Sequence, residues 1–296
     1  MLINRLSEEI LILDGAMGTE LESKGFSFKT PLWSAEALFD NSDIVQEIHE
    51  SYLLAGADII TTNTFRTTNY VFKKQKFTHS DTIESIHKAI KIANIARQNI
   101  NPAAFIAGSI APVEDCFQVE KIPTNEILIE THSFSLEQMK KFNNIDLILF
   151  ETQNSFREIE TIFSLIENLN HPIALSVTLN SQANLLDGTQ IRKVAKLVND
   201  SNFSIFGFNC SSPPIITKAL SRIKDCLDTK KFLIAYGNIG FPDSQTGLTT
   251  GFSKDPIIYA LESKKWLEMG VKIIGGCCGT SPAYIKHLKE ILKCVT

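Results

Sequence analysis

Short apolar runs alternate with longer segments of helical period along most of this chain. The runs are continuous rather than alternating in polarity, which is typical of strands covered on both faces. The segments between them repeat apolar residues every three or four positions, as at Ile83, Ile86 and Ile90, and this predicts amphipathic helices. The eight predicted strands are Ile10–Leu13, Asp58–Thr61, Phe105–Gly108, Ile145–Phe150, Ile173–Val177, Ser204–Phe208, Phe232–Ala235 and Val271–Ile274.

Eight strand–helix units predict an α/β fold, the closed (β/α)8 or TIM barrel. Single barrels of this kind commonly take about 250 residues. No shift in composition divides the 296 residues, so we expect one barrel domain over residues 1–296. A doubly wound open sheet is the alternative. It is disfavoured because the turn after the first strand lacks a dinucleotide-binding glycine pattern.

Composition and charge limit the partners. The chain has 29 Lys and Arg against 33 Asp and Glu, a net charge of −4, which argues against nucleic acid or an anionic membrane as partner. No apolar run reaches the roughly 20 residues that span a bilayer, and the N-terminus has no secretory signal pattern. We therefore expect a cytoplasmic protein. The sequence leaves its oligomeric state open, a homo-oligomer included.

Chemistry-bearing residues gather at the predicted strand ends, where barrel enzymes carry their catalytic groups. The sixth strand runs into Cys210 and the eighth into Cys277 and Cys278. Three thiolates about 2.3 Å from a Zn²⁺ ion would leave a fourth position open, as in a catalytic site. Adjacent residues of a regular strand point to opposite faces. Relaxation of the backbone at Gly275, Gly276 and Gly279 would turn both sulfurs inward.

Free cysteines are more often small buried hydrophobic residues than ligands. That interpretation is preferred for Cys116, Cys226 and Cys294, whereas the trio at the strand ends favours a metal. A disulfide between Cys277 and Cys278 is a further alternative, although its geometry would be strained.

Two acids and one tryptophan also lie near the predicted barrel mouth. Asp14 follows the first strand and Glu151 the fourth, and each is either a helix-capping acid or a group that grips a substrate ammonium. Trp33 lies in the long loop after the first strand. A hydrophobic plug beneath that loop and a substrate-facing aromatic are equally supported there.

The sequences GFNC at Gly207–Cys210 and GGCCGTSPAYI at Gly275–Ile285 resemble those of the homocysteine S-methyltransferase family. Their order and strand positions agree with that family, and the resemblance covers nearly the whole chain. Further matching segments are LDGAMGTEL at Leu13–Leu21, LWSAEAL at Leu32–Leu38, AGADIITTNTF at Ala55–Phe65, GSIAP at Gly108–Pro112, FET at Phe150–Thr152 and DGT at Asp187–Thr189.

The resemblance implies a zinc-dependent barrel that methylates homocysteine to methionine. It implies that Cys210, Cys277 and Cys278 bind zinc, while Asp14 and Glu151 hold the ammonium of homocysteine and act in catalysis. The remaining implied substrate contacts are the backbone N–H groups of Gly15 and Ala16 for the carboxylate, Asn209 of the GFNC motif, and Trp33 on the methyl-donor side.

The methyl donor is less well defined. The S-methylmethionine branch tends to carry Gln where this chain has Arg66, and a YPNSG-like stretch where it has AYGNIGF at Ala235–Phe241. No part of the 296 residues is left for a cobalamin or folate domain. We therefore expect a small donor, S-methylmethionine or S-adenosylmethionine. Betaine is less favoured because that branch has a long extra segment.

Two other functions remain as alternatives. One is a zinc–thiol binding module that presents homocysteine, or another thiol, to a separate corrinoid methyl carrier. The other is a structural barrel with vestigial chemistry, which the retention of all three cysteines and both acids disfavours.

Overall fold

The computed structural model of this chain describes residues 1–28, 32–167, 169, 171–243, 247–249 and 253–293. All eight predicted strands are present, together with a short hairpin. The strands are β1 (Leu11–Ile12), β2 (Ile59–Thr61), β3 (Phe105–Ile110), β4 (Leu147–Gln153), β5 (Ile173–Val177), β6 (Ile205–Asn209), β7 (Phe232–Gly237), β8 (Phe241–Asp243), β9 (Gly247–Thr249) and β10 (Val271–Gly276), of which β8 and β9 form a separate antiparallel hairpin. The other eight lie parallel in one sheet, in the order β1, β10, β7, β6, β5, β4, β3, β2.

The sheet closes between its first and last strands. Leu13 and Ile59 form a parallel bridge, and the Asp58 N–H donates to the Ile12 carbonyl at 2.7 Å. The predicted barrel is thus confirmed and the open doubly wound sheet is excluded. Because every barrel strand is parallel, the strand ends that carry the cysteines and acids share one mouth.

Helices surround the barrel, as the apolar periodicity predicts. The apolar positions that this periodicity assigns to the inner faces are buried, among them Val45, Ile48, Tyr52, Ile86 and Ile90. The helices are α1 (Leu2–Glu8), α2 (Met17–Ser23), α3 (Ala37–Asp40), α4 (Ser42–Ala55), α5 (Asn69–Lys74), α6 (His79–Ile100), α7 (Asn125–Lys140), α8 (Phe156–Leu165), α9 (Ile191–Asn199), α10 (Pro213–Ile223), α11 (Pro256–Glu268) and α12 (Pro282–Lys293), with short 3₁₀ helices at Trp33–Glu36 and Val119–Lys121.

The hydrophobic core has two layers. The larger layer lies between the strands and the surrounding helices. The smaller layer fills the barrel interior, where Leu147, Ile205 and Ile273 pack together, and Leu2 and Leu6 of α1 belong to the same cluster. Helix α1 therefore closes the end of the barrel opposite the mouth. None of the helices within the described residues combines the length and apolar character that crossing a bilayer requires.

His49 on α4 gives an expected dependence of stability on pH. Its ring is fully buried, neither ring nitrogen has a hydrogen-bond partner, and burial lowers its pKa to about 4. The unfolded chain binds a proton near pH 6.5 and the folded chain does not. Stability contributed by neutral His49 is therefore present above pH 6.5 and is lost as the pH falls toward 4.

We expect this residue to lower the free energy of unfolding by about 2 kcal/mol between pH 8 and pH 5. His49→Leu should lack that loss in denaturant titrations at the two pH values. His287→Gln, which removes a partly exposed histidine, should retain it. An equal acid dependence in wild type and His49→Leu would contradict the assignment.

Candidate active site at the barrel mouth

Three sulfurs meet at the mouth. Cys210 follows β6, and Cys277 and Cys278 follow β10. Their Sγ atoms all lie within 4.8 Å of one another, and those of Cys210 and Cys278 are 3.6 Å apart. Ligands about 2.3 Å from a tetrahedral Zn²⁺ are roughly 3.8 Å from one another. The trio therefore has the spacing of a metal site, and all three residues are free cysteines with no disulfide between Cys277 and Cys278.

The backbone at Cys210 turns its sulfur toward the other two. Cys210 has φ of +48°, in the left-handed region that costs a non-glycine residue about 1 kcal/mol or more. The Asn238 amide holds this conformation by donating to the Cys210 carbonyl at 3.0 Å, and the Cys210 N–H donates to the Tyr236 carbonyl at 3.2 Å. A strained residue kept in place by its neighbours is typical of a functional position.

The glycines beside Cys277 and Cys278 have two different roles. Gly279 has φ of +83°, so the chain does relax there as the sequence suggests. Gly275 and Gly276 instead permit close approach: a Cβ on Gly276 would lie 2.1 Å from the Thr280 hydroxyl, and one on Gly275 would lie 2.9 Å from the Asp14 carbonyl. They allow β10 to pack against its own loop and against β1.

Tyr259 of α11 ties the two cysteine-bearing segments together. Its hydroxyl donates toward the carbonyls of Gly275 at 2.7 Å and Gly237 at 3.1 Å, and accepts from the Gly237 N–H at 2.8 Å. The Cys277 N–H donates to the same Gly237 carbonyl at 2.8 Å. The sequence analysis missed Tyr259, because nothing in the period of a helix shows which residue reaches two strand ends.

The protonation of the trio fits a cation site. Hydrogen bonds with Cys277 and Cys278, together with burial, raise the pKa of Cys210 well above its usual value. Three thiolates this close repel one another. A divalent cation between them would offset that repulsion, because metal coordination deprotonates a thiol outright.

Asp14 and Glu151 lie in the same mouth. Asp14 is buried and accepts hydrogen bonds from the Thr61 N–H at 2.8 Å and the Thr61 hydroxyl at 3.0 Å. Glu151 accepts from the Ser109 hydroxyl through one oxygen and from the Tyr236 hydroxyl, at 3.1 Å, through the other. Neither acid caps a helix. The capping alternative is thus excluded for both.

Burial dominates the electrostatics of the two acids. It raises the pKa of Asp14 well above its usual value, and the nearby Glu151 raises it further. It also raises the pKa of Glu151 to about 7, and Cys277 adds to that rise. Both acids follow or end strands at the same mouth as the sulfurs, so each of these charges affects the others. A positively charged ligand group placed between them would favour their ionised forms.

The turn at Gly15 and Ala16 leads from Asp14 into α2. No side chain caps this helix. The Gly15 and Ala16 N–H groups have no acceptor among the described residues. The Tyr52 hydroxyl stabilises this turn. It donates to the Ala16 carbonyl at 2.9 Å and lies 3.2 Å from the Thr280 carbonyl. Two unpaired N–H groups thus lie at the end of β1 beside Asp14.

Asn209 links the ends of three neighbouring strands, β4, β5 and β6, through its side chain. Its side chain is fully buried, and its amide oxygen accepts from the Thr152 N–H and the Ser176 hydroxyl, both at 2.9 Å. Its amide nitrogen donates to the Thr152 hydroxyl at 2.8 Å. Thr152 follows Glu151 and has φ of +57°. This geometry favours a role for Asn209 in positioning Glu151 and Cys210 over direct contact with a substrate.

Trp33 lies at the edge of the mouth, with φ of +48°. Its ring stacks on Phe65 with centroids 5.9 Å apart, and the Arg66 guanidinium lies 4.6 Å from its centroid. The Asn63 amide donates to the Ser34 carbonyl at 2.9 Å and ties this loop to the end of β2. Trp33 therefore belongs to an aromatic and cationic cluster, rather than forming only a plug beneath its loop.

The other cysteines lie apart from the trio or outside the described residues. Cys116, in the loop after β3, is buried, and burial raises its pKa to about 12, while Arg66 lowers that pKa and Cys277 raises it. Cys226 is half-buried after α10, and both residues fit the interpretation as small hydrophobic side chains. Cys294 lies outside the described residues.

The sequence and fold of this chain are similar to those of known proteins. The family model described as homocysteine S-methyltransferase matches residues 11–292. The homocysteine S-methyltransferase of Escherichia coli is 29% identical over 95% of each chain, and homocysteine S-methyltransferase 2 of Saccharomyces cerevisiae is 28% identical over 97% of this chain and 95% of its own. The metallated form of the E. coli homocysteine methyltransferase MmuM superposes with a TM-score of 0.83 at 28% identity, covering 96% of each chain.

Proposed function

This chain belongs to the homocysteine S-methyltransferase family, and we propose that it transfers a methyl group to homocysteine over a Zn²⁺ ion held by Cys210, Cys277 and Cys278. The product is methionine. The observation that supports this most strongly is the convergence of three sulfurs within 4.8 Å at the mouth that also holds Asp14 and Glu151. A soft cation with one open position suits three thiolates.

The thiol of homocysteine needs activation. A thiol with a pKa near 8.5 is mostly protonated at neutral pH and is then a poor nucleophile. A Zn²⁺ ion held by Cys210, Cys277 and Cys278 would lower the pKa of this thiol, so that its proton is released to solvent and its sulfur becomes the nucleophile. The chain's own residues hold and orient the rest of the substrate.

Asp14 and Glu151 bind the ammonium of homocysteine in this proposal. Their hydrogen-bond donors, Thr61, Ser109 and Tyr236, fix the carboxylates. The paired negative charge needs a cation, since burial disfavours both ionised forms. The free N–H groups of Gly15 and Ala16 take the homocysteine carboxylate beside them. Substrate ammonium and carboxylate are thereby held at the ends of β1 and β4, and the thiol extends toward the cysteines.

The transfer itself needs little further chemistry. The homocysteine sulfur forms a new bond to the methyl carbon, while the bond between that carbon and the donor sulfonium breaks. The electron pair of the broken bond stays on the donor, which leaves as a neutral thioether, so no general acid is required. What the barrel contributes is the alignment of the two sulfurs with the methyl carbon. The donor lies on the side of the mouth formed by Trp33 and Phe65.

The proposal is tested by methionine formation from homocysteine in reduced, zinc-supplied protein. S-methylmethionine, S-adenosylmethionine, betaine and a methylcorrinoid would be compared side by side, with zinc content measured on the same sample. We expect about one zinc per chain and turnover with a sulfonium donor. Zinc and homocysteine binding with turnover only from the methylcorrinoid would support the presenting module instead. Absence of metal from reduced, reconstituted protein would refute the zinc centre.

A further inference from the structure

Arg66 is a buried cation beside the mouth. It lies in the loop between β2 and α5 and is 2% exposed. Its guanidinium lies 4.6 Å from the Trp33 ring centroid and 5.7 Å from that of Phe65. It follows β2, whose C-terminal end lies at the same mouth of the parallel barrel as the cysteine-bearing ends of β6 and β10.

This cation has no acidic partner among the described residues. Its Nη1 donates to the Glu114 backbone carbonyl at 2.9 Å, and its buried Nε has no acceptor within the described part of the chain. The Glu114 carboxylate pairs instead with Lys74 on the outer surface. Burying a guanidinium without an anion is unfavourable, and buried charges are normally paired. Within the described residues, Arg66 therefore lacks the anion that a buried cation normally has.

We propose that Arg66 binds the carboxylate of the methyl donor and so selects donors that carry one. The inference rests on the proposed methyl transfer and specifies its second substrate. Homocysteine already has partners for its ammonium and carboxylate at Asp14, Glu151 and the Gly15–Ala16 turn. A sulfonium approaching the Trp33 side also meets the Arg66 cation. Repulsion between the two is relieved only when the donor brings its own negative charge.

Arginine suits this role for a geometric reason. Its planar guanidinium can pair with both oxygens of a carboxylate while its face stacks on an aromatic ring, and lysine does neither as well. Stacking on Trp33 holds the Arg66 guanidinium in one orientation before the methyl donor binds. The chemical class of donor is a sulfonium amino acid with a free carboxylate rather than a simple trialkylsulfonium.

The experiment compares S-methylmethionine with its carboxamide, which keeps the sulfonium and loses the negative charge. We expect wild type to prefer the carboxylate donor by about 10- to 100-fold in kcat/KM, the range for one charged hydrogen-bonded pair. In Arg66→Gln the preference should fall to below about 3-fold through a higher KM for S-methylmethionine, with the KM for homocysteine unchanged. Arg66→Lys should retain part of the preference.

Lys74→Gln is the matched control. It removes a cation bound to the same Glu114 loop, but an exposed one, so it separates loosening of that loop from loss of the carboxylate contact. It should keep the wild-type preference. An equal loss in Lys74→Gln would overturn the proposal. So would a preference that survives in Arg66→Gln, or an effect confined to the KM for homocysteine.

A failure of the proposed methyl transfer can be told apart from a failure of this inference. If no donor supports turnover, calorimetric binding of S-methylmethionine and its carboxamide to the metal-loaded protein replaces the rate measurement. Tighter binding of the carboxylate form to wild type, lost in Arg66→Gln, would support the role of Arg66. Equal binding of the two forms, or binding of neither, would overturn it.

Discussion

Replacing Cys277 with serine is expected to remove the metal and abolish methyl transfer. A serine hydroxyl remains protonated near neutral pH and offers zinc a weak neutral ligand in place of a thiolate. Loss of an outer hydrogen-bond partner alone commonly lowers metal affinity by about 10- to 100-fold, so loss of a direct ligand should exceed about 100-fold. Turnover should fall by at least the same factor, because zinc generates the nucleophile.

The measurement is metal content per chain by atomic emission, with turnover on the same samples. Cys226→Ser is the matched control, since it makes the same chemical change at a half-buried cysteine after α10. It should keep both metal and activity. Full activity in Cys277→Ser would refute the three-cysteine centre. Loss of metal in both variants would show that the centre is not specific to the trio.

The barrel is predictable from the sequence because its strands are covered on both faces. Each strand is then a continuous apolar run, and parallel strands need helical crossovers between them. The length of each strand is harder to predict. Strand β1 is only Leu11–Ile12, whereas β4 extends to Gln153, beyond the apolar run that ends at Phe150. Glu151 and Thr152 form an irregularity in the ladder between β4 and β5, and β4 continues beyond them because Gln153 pairs with Val177. The hydrophobic pattern carries no trace of that pairing.

The site was predictable only where one rule fixes position. Parallel strands deliver their C-terminal ends to one mouth, so Cys210, Cys277, Asp14 and Glu151 are brought together by topology. The direction of each side chain cannot be predicted from this rule. Left-handed backbone at Cys210 and Trp33 depends on tertiary contacts. The pairing of Arg66 with Trp33 joins two loops that are distant in sequence, so no local pattern indicates it. Asn209, predicted as a substrate contact, lies in the same motif as the proposed metal ligand Cys210, yet its amide is bonded to Thr152 and Ser176.

Glu151→Gln is expected to lower kcat/KM for homocysteine by about 100-fold at pH 8. The amide keeps the size of the side chain, and its oxygen can accept from one of the Ser109 and Tyr236 hydroxyls while its NH2 group donates to the other. It carries no charge to pair with an ammonium. A charged hydrogen bond lost in a buried site costs about 3 kcal/mol, or about 100-fold. Zinc content should not change, because Glu151 is not one of the three sulfur residues. Asp115→Asn is the control, since Asp115 bonds to its own turn at Phe117.

The same substitution should change the dependence on pH. Because burial raises the pKa of Glu151 to about 7, the carboxylate is ionised above that pH and only about a tenth ionised at pH 6. Wild-type affinity for homocysteine should therefore fall roughly tenfold per unit below pH 7, beyond any slope from the substrate thiol. The thiol contributes equally in Glu151→Gln, so the difference between the two profiles comes from Glu151 and from its effect on the pKa of Asp14.

Stability gives the last check on this interpretation. A folded-state pKa raised above the unfolded value means that the ionised carboxylate opposes folding at neutral pH. Glu151→Gln should then melt at the wild-type temperature or higher while binding homocysteine less tightly. A lower melting temperature, or parallel pH profiles in the two proteins, would show that Glu151 supports the barrel rather than the substrate. Weaker binding in a protein at least as stable is the combination expected of a carboxylate whose burial is compensated only by the ammonium of its substrate.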